Sequence, residues 1–315
     1  MHAPKGVLLM TFGSAVTADD VPEYLASVRG GRAVPDDVVA EFQRRYRVIG
    51  RSPLIDVTRA QGDALQRHLD AELGVGHVVV RVGMLHSRPR VDDAVSELTA
   101  HGVGAIVGIV LAPQYSPVIL AGYERAVARA REAHPAADVR IAGAWHTLPE
   151  WIDSLAERLD AALATLPPAS RETAPVIFTA HSLPRAVVDH DPGYIDQLRD
   201  TAAAVSSRAG LAPGRWQFAY QSAGHTPEPW LTPDVKDLLP TLREDGARDV
   251  LIVPVQFLAD HLEILYDLDV AARDEARALG ITMHRIEMPN ASPPLIRALA
   301  AVVHRELAPN PASAA

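Results

Sequence analysis

Two stretches of the chain place imidazole and carboxylate groups directly after apolar runs. In the first, Pro175-Val176-Ile177-Phe178-Thr179-Ala180 is followed by His181-Ser182-Leu183-Pro184. In the second, residues 249–255 (DVLIVPV) lead into Gln256-Phe257-Leu258-Ala259-Asp260-His261-Leu262-Glu263. A side chain just beyond a buried strand lands at the carboxyl edge of its sheet, where open parallel sheets bind ligands. Histidine with glutamate and aspartate, in a sequence without cysteine, suits a borderline divalent ion such as iron(II), cobalt(II) or zinc. A neutral imidazole there can also accept a proton near neutral pH. Taken singly, each group has an ordinary reading: His181 packed at a strand end, Glu263 on a solvated helix.

A second kind of chemistry is concentrated near the amino terminus. Arg29 and Arg32 flank Gly30-Gly31, and Arg44-Arg45-Tyr46-Arg47 and Ser52-Pro53 follow. Guanidinium forks take carboxylates two hydrogen bonds at a time, and hydroxyls add fixed donors. A solvated basic helix face would read similarly, but this cluster interrupts an acidic chain. Aromatic residues are few, yet Phe12, Tyr115, Trp145, Trp230 and Phe257 fall near strand ends, and Tyr123 lies one turn into a helix. Several at one edge would line a flat apolar slot with polar rims. His86 also points to that edge, whereas His68, His101, His134 and His304 fall on helix faces or loop starts.

These groups must be positioned by alternating elements. Eight short β-branched runs, at residues 6–11, 77–85, 105–111, 138–144, 175–180, 216–220, 249–255 and 281–287, alternate with segments of helical period. Helices are expected at 54–73, 91–100, 121–132, 150–164, 194–209, 234–243 and 295–306. The strands divide into two sets of four. Leu111-Ala112-Pro113-Gln114-Tyr115 and Val253-Pro254-Val255-Gln256-Phe257 end the third strand of each set alike. The expected fold is α/β: two doubly wound Rossmann-like lobes, each with a parallel four-stranded sheet, and a cleft between them. The first lobe covers 1–150 and carries an extra segment, 18–53, as a lid; the second covers 151–315, with a Pro/Ser/Thr-rich linker at 166–174.

Composition narrows the function classes. The formal charge of -9 argues against nucleic acid, which needs a basic footprint. Zero cysteine excludes disulfides, thiolate nucleophiles and Cys-ligated iron–sulfur clusters. With 48% hydrophobic residues the chain can bury a full core, and disorder is expected only in the terminal Ala308-Pro309-Asn310-Pro311 stretch. No run is long enough to span a bilayer, no export signal is evident, and no Walker or Gly-x-Gly-x-x-Gly loop follows a strand. A cytoplasmic monomer is expected.

The motifs around these candidates resemble the signatures of ferrochelatases. They are Ile49-Gly50-Arg51-Ser52-Pro53-Leu54, Leu111-Ala112-Pro113, His181-Ser182-Leu183-Pro184, the run from Gln221 to Leu231 (QSAGHTPEPWL), Val255 to Glu263, and Glu287-Met288-Pro289-Asn290. They occur in order over nearly the whole chain, and the likeness is to bacterial coproporphyrin III ferrochelatases. The resemblance implies insertion of iron(II), as substrate, into coproporphyrin III to give coproheme, with no cofactor required. Protoporphyrin IX as substrate is the alternative within the family, and a non-catalytic porphyrin or heme carrier the alternative outside it. The resemblance also implies that His181 and Glu263 flank the metal, facing each other across the slot. It assigns Arg29, Arg45, Tyr46, Ser52 and Tyr123 to the porphyrin's carboxylate rim, with His261 and Asp267 behind. Phe12 stands where relatives often carry a tyrosine able to approach the product's metal. Ala271 stands where some carry a glutamate completing an outer metal site.

Overall fold

The computed structural model describes residues 3–224 and 227–308. His225 and Thr226 of the motif after Gln221, and Pro309-Asn310-Pro311 of the tail, lie outside the described residues. The first sheet contains β1 (Lys5–Thr11), β2 (Val78–Met84), β3 (Ala105–Val110) and β4 (Asp138–Ile141), in the order β2-β1-β3-β4. The second contains β5 (Val176–His181), β6 (Trp216–Gln221), β7 (Asp249–Pro254) and β8 (Thr282–Arg285), in the order β6-β5-β7-β8. All pairings are parallel, with Lys5 opposite both Val78 and Ala105, and Val176 opposite both Trp216 and Leu251. The repeat legible in the strand ends is therefore a repeat of topology. Central strands β1 and β7 are buried on both faces, which is why they read as unbroken apolar runs.

The helices are α1 (Val21–Val28), α2 (Asp36–Ile49), α3 (Leu54–Leu73), α4 (Val91–Ala100), α5 (Pro117–Ala133), α6 (Pro149–Thr165), α7 (Arg185–Asp189), α8 (Gly193–Arg208), α9 (Val235–Glu244), α10 (Arg273–Ala278) and α11 (Pro293–Leu307). Between β7 and α10, Glu263–Ala272 is wound as a π-helix that runs directly into α10. Such winding is rare and tends to occur at functional sites.

Two helices tie the lobes together. The chain leaves the first sheet through residues 142–148, and α6 then packs against α8 and β7 of the second lobe. Residues 166–174, expected as the interlobe linker, instead form the turn from α6 into β5. The terminal helix α11 crosses back onto α3 and β3 of the first lobe. His304 Nε2 lies 2.9 Å from Glu72, and Arg140 pairs with Glu306 at 3.2 Å. One apolar core consequently runs through both sheets, including Val7 and Leu9 of β1, Trp151 and Leu155 of α6, Phe178 of β5 and Leu299 of α11.

The extra segment is built from α1 and α2. Val38, Val39, Phe42, Tyr46 and Ile49 repeat at helical spacing, and this stripe packs with Leu25 against Leu262 and Tyr266 of the second lobe. The lid therefore has its own small core, separate from the large one.

Candidate active site

The end of β5 is clamped before any chemistry begins. The His181 main-chain N–H donates to Gln256 Oε1 at 2.8 Å, and Gln256 Nε2 donates to the buried Tyr194 hydroxyl at 2.7 Å. Ser182, also buried, donates its hydroxyl to the Leu231 carbonyl at 2.9 Å. These bonds fix the strand end so that the imidazole projects into the cleft. Its Nδ1 donates to the Ser182 carbonyl, and its Nε2 faces Glu263 Oε1 at 3.5 Å.

Glu263 opens the π-helix. Gln221 Nε2, at the end of β6, donates to the Glu263 carbonyl at 3.3 Å, and Thr179 of β5 holds the Gln221 oxygen at 2.8 Å. The loop entering the π-helix is braced from β8 as well. Asn290 has a left-handed backbone (φ 48°), a conformation Asn tolerates better than most residues. Its side chain accepts from the Asp260 N–H at 2.9 Å and donates to the Asp260 carboxylate at 2.8 Å. Arg285 bonds both Asp260 and Asp269, at 3.3 and 2.7 Å.

The second oxygen of Glu263 meets His261 Nε2 at 3.1 Å, and His261 Nδ1 lies 2.9 Å from the Ala259 carbonyl. His181, Glu263 and His261 thus form a continuous chain. His181 faces an acceptor at each nitrogen, and a neutral imidazole has only one N–H. Burial lowers its pKa, but the Glu263 carboxylate and the Ser182 carbonyl outweigh this and push it up to about 9. Burial likewise works against the Glu263 carboxylate, yet the two imidazoles hold it well below the usual range. Both shifts favour an imidazolium–carboxylate pair at a position where the sequence suggests a neutral acceptor. The two groups also share one wall in contact; they do not face each other across the slot.

The opposite wall comes from the first lobe. Gly13 (φ 89°) turns the chain after β1 so tightly that a Cβ would lie 2.6 Å from Ser87 Oγ. Ser87 in turn donates to the Ser14 carbonyl at 2.8 Å. This exposes the Phe12 ring, stacked obliquely on His86 at 4.5 Å between centroids. Between the walls lies a cavity of about 940 Å³, within the range of small-molecule sites. The apolar side chains of Phe12, Val28 and Val118 remain exposed there. Besides the relay, its charged lining is Arg90, Arg125 and Arg129, with no further carboxylate among the described residues; burial and the Arg90 charge lower the pKa of His86.

The candidates read from sequence divide into two groups. His181, Glu263, Tyr46 and Tyr123 line this cavity. Burial raises both tyrosine hydroxyls above their ordinary pKa, so they are neutral donors. Ser52 lies behind the wall, accepting from Ser14 Oγ at 3.1 Å. Arg29 is exposed at the end of α1, beside the lining residues Val28 and Gly30. Arg45 lines a neighbouring cavity of about 230 Å³ with Asp267 and Ala271. There it bonds Glu41 at 2.8 Å and Asp267 at 3.3 Å, and stacks on Tyr266. Burial raises the Asp267 carboxyl above its ordinary pKa, opposed by a Ser222 hydrogen bond and the Arg45 charge. The sequence pattern does not single out Gln256, which holds His181, or the arginines at 90, 125 and 129, which line the cavity.

A family model described as ferrochelatase matches residues 4–307. The ferrochelatase of Deinococcus radiodurans is 38% identical over 307 residues, covering 97% of this chain and 96% of that one. This chain belongs to the ferrochelatase family. The coproporphyrin III ferrochelatases of Geobacillus kaustophilus and Bacillus subtilis are 38% and 34% identical, covering 95% and 96% of this chain and 94% and 97% of theirs. Among solved structures, SirB from Bacillus subtilis with Fe3+ superposes with a TM-score of 0.62 at 14% identity, covering 97% of this chain and 96% of its own. That likeness shows the two-lobed fold. The protein is accordingly a metal chelatase enzyme, acting on a porphyrin and a metal ion. No helix among the described residues is long and apolar enough to cross a membrane.

Proposed function

We propose that this ferrochelatase inserts iron(II) into coproporphyrin III, releasing two protons and giving Fe-coproporphyrin III. The observation that carries the reading is the His181–Glu263–His261 relay on the wall of a cavity whose remaining charged lining is cationic. The names of the Geobacillus and Bacillus relatives support the choice of porphyrin. So does charge: coproporphyrin III carries four propionates and protoporphyrin IX only two.

Metallation requires the two pyrrole N–H protons to leave while the ring is held out of plane. Contacts remote from the ring centre can offset that distortion. The raised pKa of His181 favours its imidazolium, so Nε2 must lose a proton before it can accept one. A dication entering the cleft disfavours the imidazolium, and Glu263 with His261 beyond it provides the outward path. The freed Nε2 then takes one pyrrole proton and the Glu263 carboxylate the other. Phe12 presents a phenyl ring with no atom able to ligate the product's iron. Arg29, Arg45, Tyr46, Ser52 and Tyr123 are proposed as the carboxylate rim and its support, with Arg45 bridging lid and π-helix. One chain supplies both walls and the lid, which supports a monomeric enzyme; a cytoplasmic location is part of the same proposal.

The test is anaerobic incubation of the enzyme with iron(II) and each porphyrin, followed by absorbance. A higher kcat/KM for coproporphyrin III is expected. Equal or faster metallation of protoporphyrin IX would reverse the substrate assignment, and binding without metallation would make the protein a carrier.

A further inference from the structure

Along the cavity side of α5, polarity changes in one direction. Val118 and Gly122 come first, with Val118 half exposed and Gly122 packed so closely that a Cβ would lie 2.8 Å from Leu85. Arg125 and Arg129 follow, one turn apart and both exposed. The helix thus offers a flat apolar surface ending in two guanidinium groups. Arg90, the third arginine of the lining, is already engaged with the Leu85 carbonyl and with Ser27 Oγ. Arg129 pairs with Asp92 at 3.7 Å, longer than a hydrogen bond. Arg125 pairs with no carboxylate among the described residues.

Two like charges at this spacing destabilise a helix unless something anionic lies between or beyond them. The chain as a whole carries -9, yet among the described residues this pair forms an ion pair only with Asp92, 3.7 Å from Arg129. We propose that Arg125 and Arg129 are specificity-determining residues that hold the propionates present in coproporphyrin III but replaced by vinyl groups in protoporphyrin IX. This rests on the substrate reading above and names the groups that would enforce it. Selection would work in both directions. A propionate gains charge-assisted hydrogen bonds, whereas a vinyl group leaves a guanidinium desolvated and unpaired.

The test is the double variant Arg125→Gln/Arg129→Gln, with Arg125→Lys/Arg129→Lys as the charge-retaining control. Binding of each iron-free porphyrin is followed by fluorescence quenching, and kcat and KM by anaerobic metallation. For coproporphyrin III, Kd and KM should rise about tenfold in the Gln variant, with most of the loss recovered in the Lys variant. For protoporphyrin IX, both should change by no more than about twofold. Binding of coproporphyrin III should also lose part of its salt dependence. Equal losses for the two porphyrins, or no loss for either, in a variant with an unchanged melting curve would overturn the clamp. Should the wild type instead metallate protoporphyrin IX preferentially, the substrate reading fails, while the clamp is still judged by the difference in Kd.

Discussion

Replacing Glu263 with Gln tests the central pair with almost no change in shape. At 3.5 Å and an effective dielectric of about 20, two unit charges attract by roughly 5 kcal/mol. Glu263 keeps 35% of its side chain exposed and His181 25%, so solvent screening reduces this to about 3 kcal/mol. That is slightly over two pH units, close to the separation between about 9 and an ordinary imidazole at 6.5. In Glu263→Gln the carboxylate is gone while the burial and the Ser182 carbonyl remain, so His181 should titrate about two pH units lower than in the wild type. Imidazole NMR of the ligand-free protein reads this directly, with the His181 signal assigned among 13 histidines by its loss in His181→Ala. The sign carries over to stability. The folded-state pKa is raised, so the pair's contribution is complete below pH 6.5 and is lost as pH climbs through about 9. Urea unfolding should therefore show the wild type losing about 3 kcal/mol over that window, relative to Glu263→Gln. A wild-type His181 titrating at or below 6.5, or parallel stability profiles, would refute the ion-pair account.

Further outcomes follow from other contacts. His181→Ala should abolish metal insertion while porphyrin binding, read by fluorescence quenching, stays within about threefold; near-normal turnover would displace His181 from its role. Asn290→Ala should cost about 2–4 kcal/mol in urea unfolding, combining left-handed strain with two lost bonds to Asp260, and Asn290→Gly should recover about 1 kcal/mol of it. Equal losses in the two variants would show that backbone strain is not involved. Arg45→Ala should raise the porphyrin KM more than it lowers kcat; an unchanged KM with lowered stability would make Arg45 a strut between Glu41 and Asp267.

Much of this architecture is legible in local pattern. All eight strands lie where the short β-branched runs predict them, and the central ones read most clearly because they are buried on both faces. Three edge strands, β2, β4 and β8, are shorter than expected: β4 ends at Ile141, where its pairing with Gly108 of β3 ends, although the apolar run continues. The lid helices were harder to read, since the stripe on α2 is covered by Leu262 and Tyr266 from the far end of the chain. Their arginines raise the same difficulty. Charge and spacing identify Arg45 as able to bind a carboxylate, but cannot show that Asp267 of the same chain already occupies it. Arg125 and Arg129 do not stand out in the sequence for the opposite reason, as an i, i+4 basic pair on a helix usually belongs to a solvated face.

The crossing of α11 onto the first lobe constrains how this enzyme can move. Two-lobed binding proteins commonly close like jaws about a hinge. Here the jaws are bolted by a shared core reaching from β1 to α11, and opening them would expose that apolar interior to water. Freedom of motion is left to the small flap over the opening, which rests on a separate handful of side chains. A macrocycle entering this vice meets walls that stay put. The ring itself must do the bending.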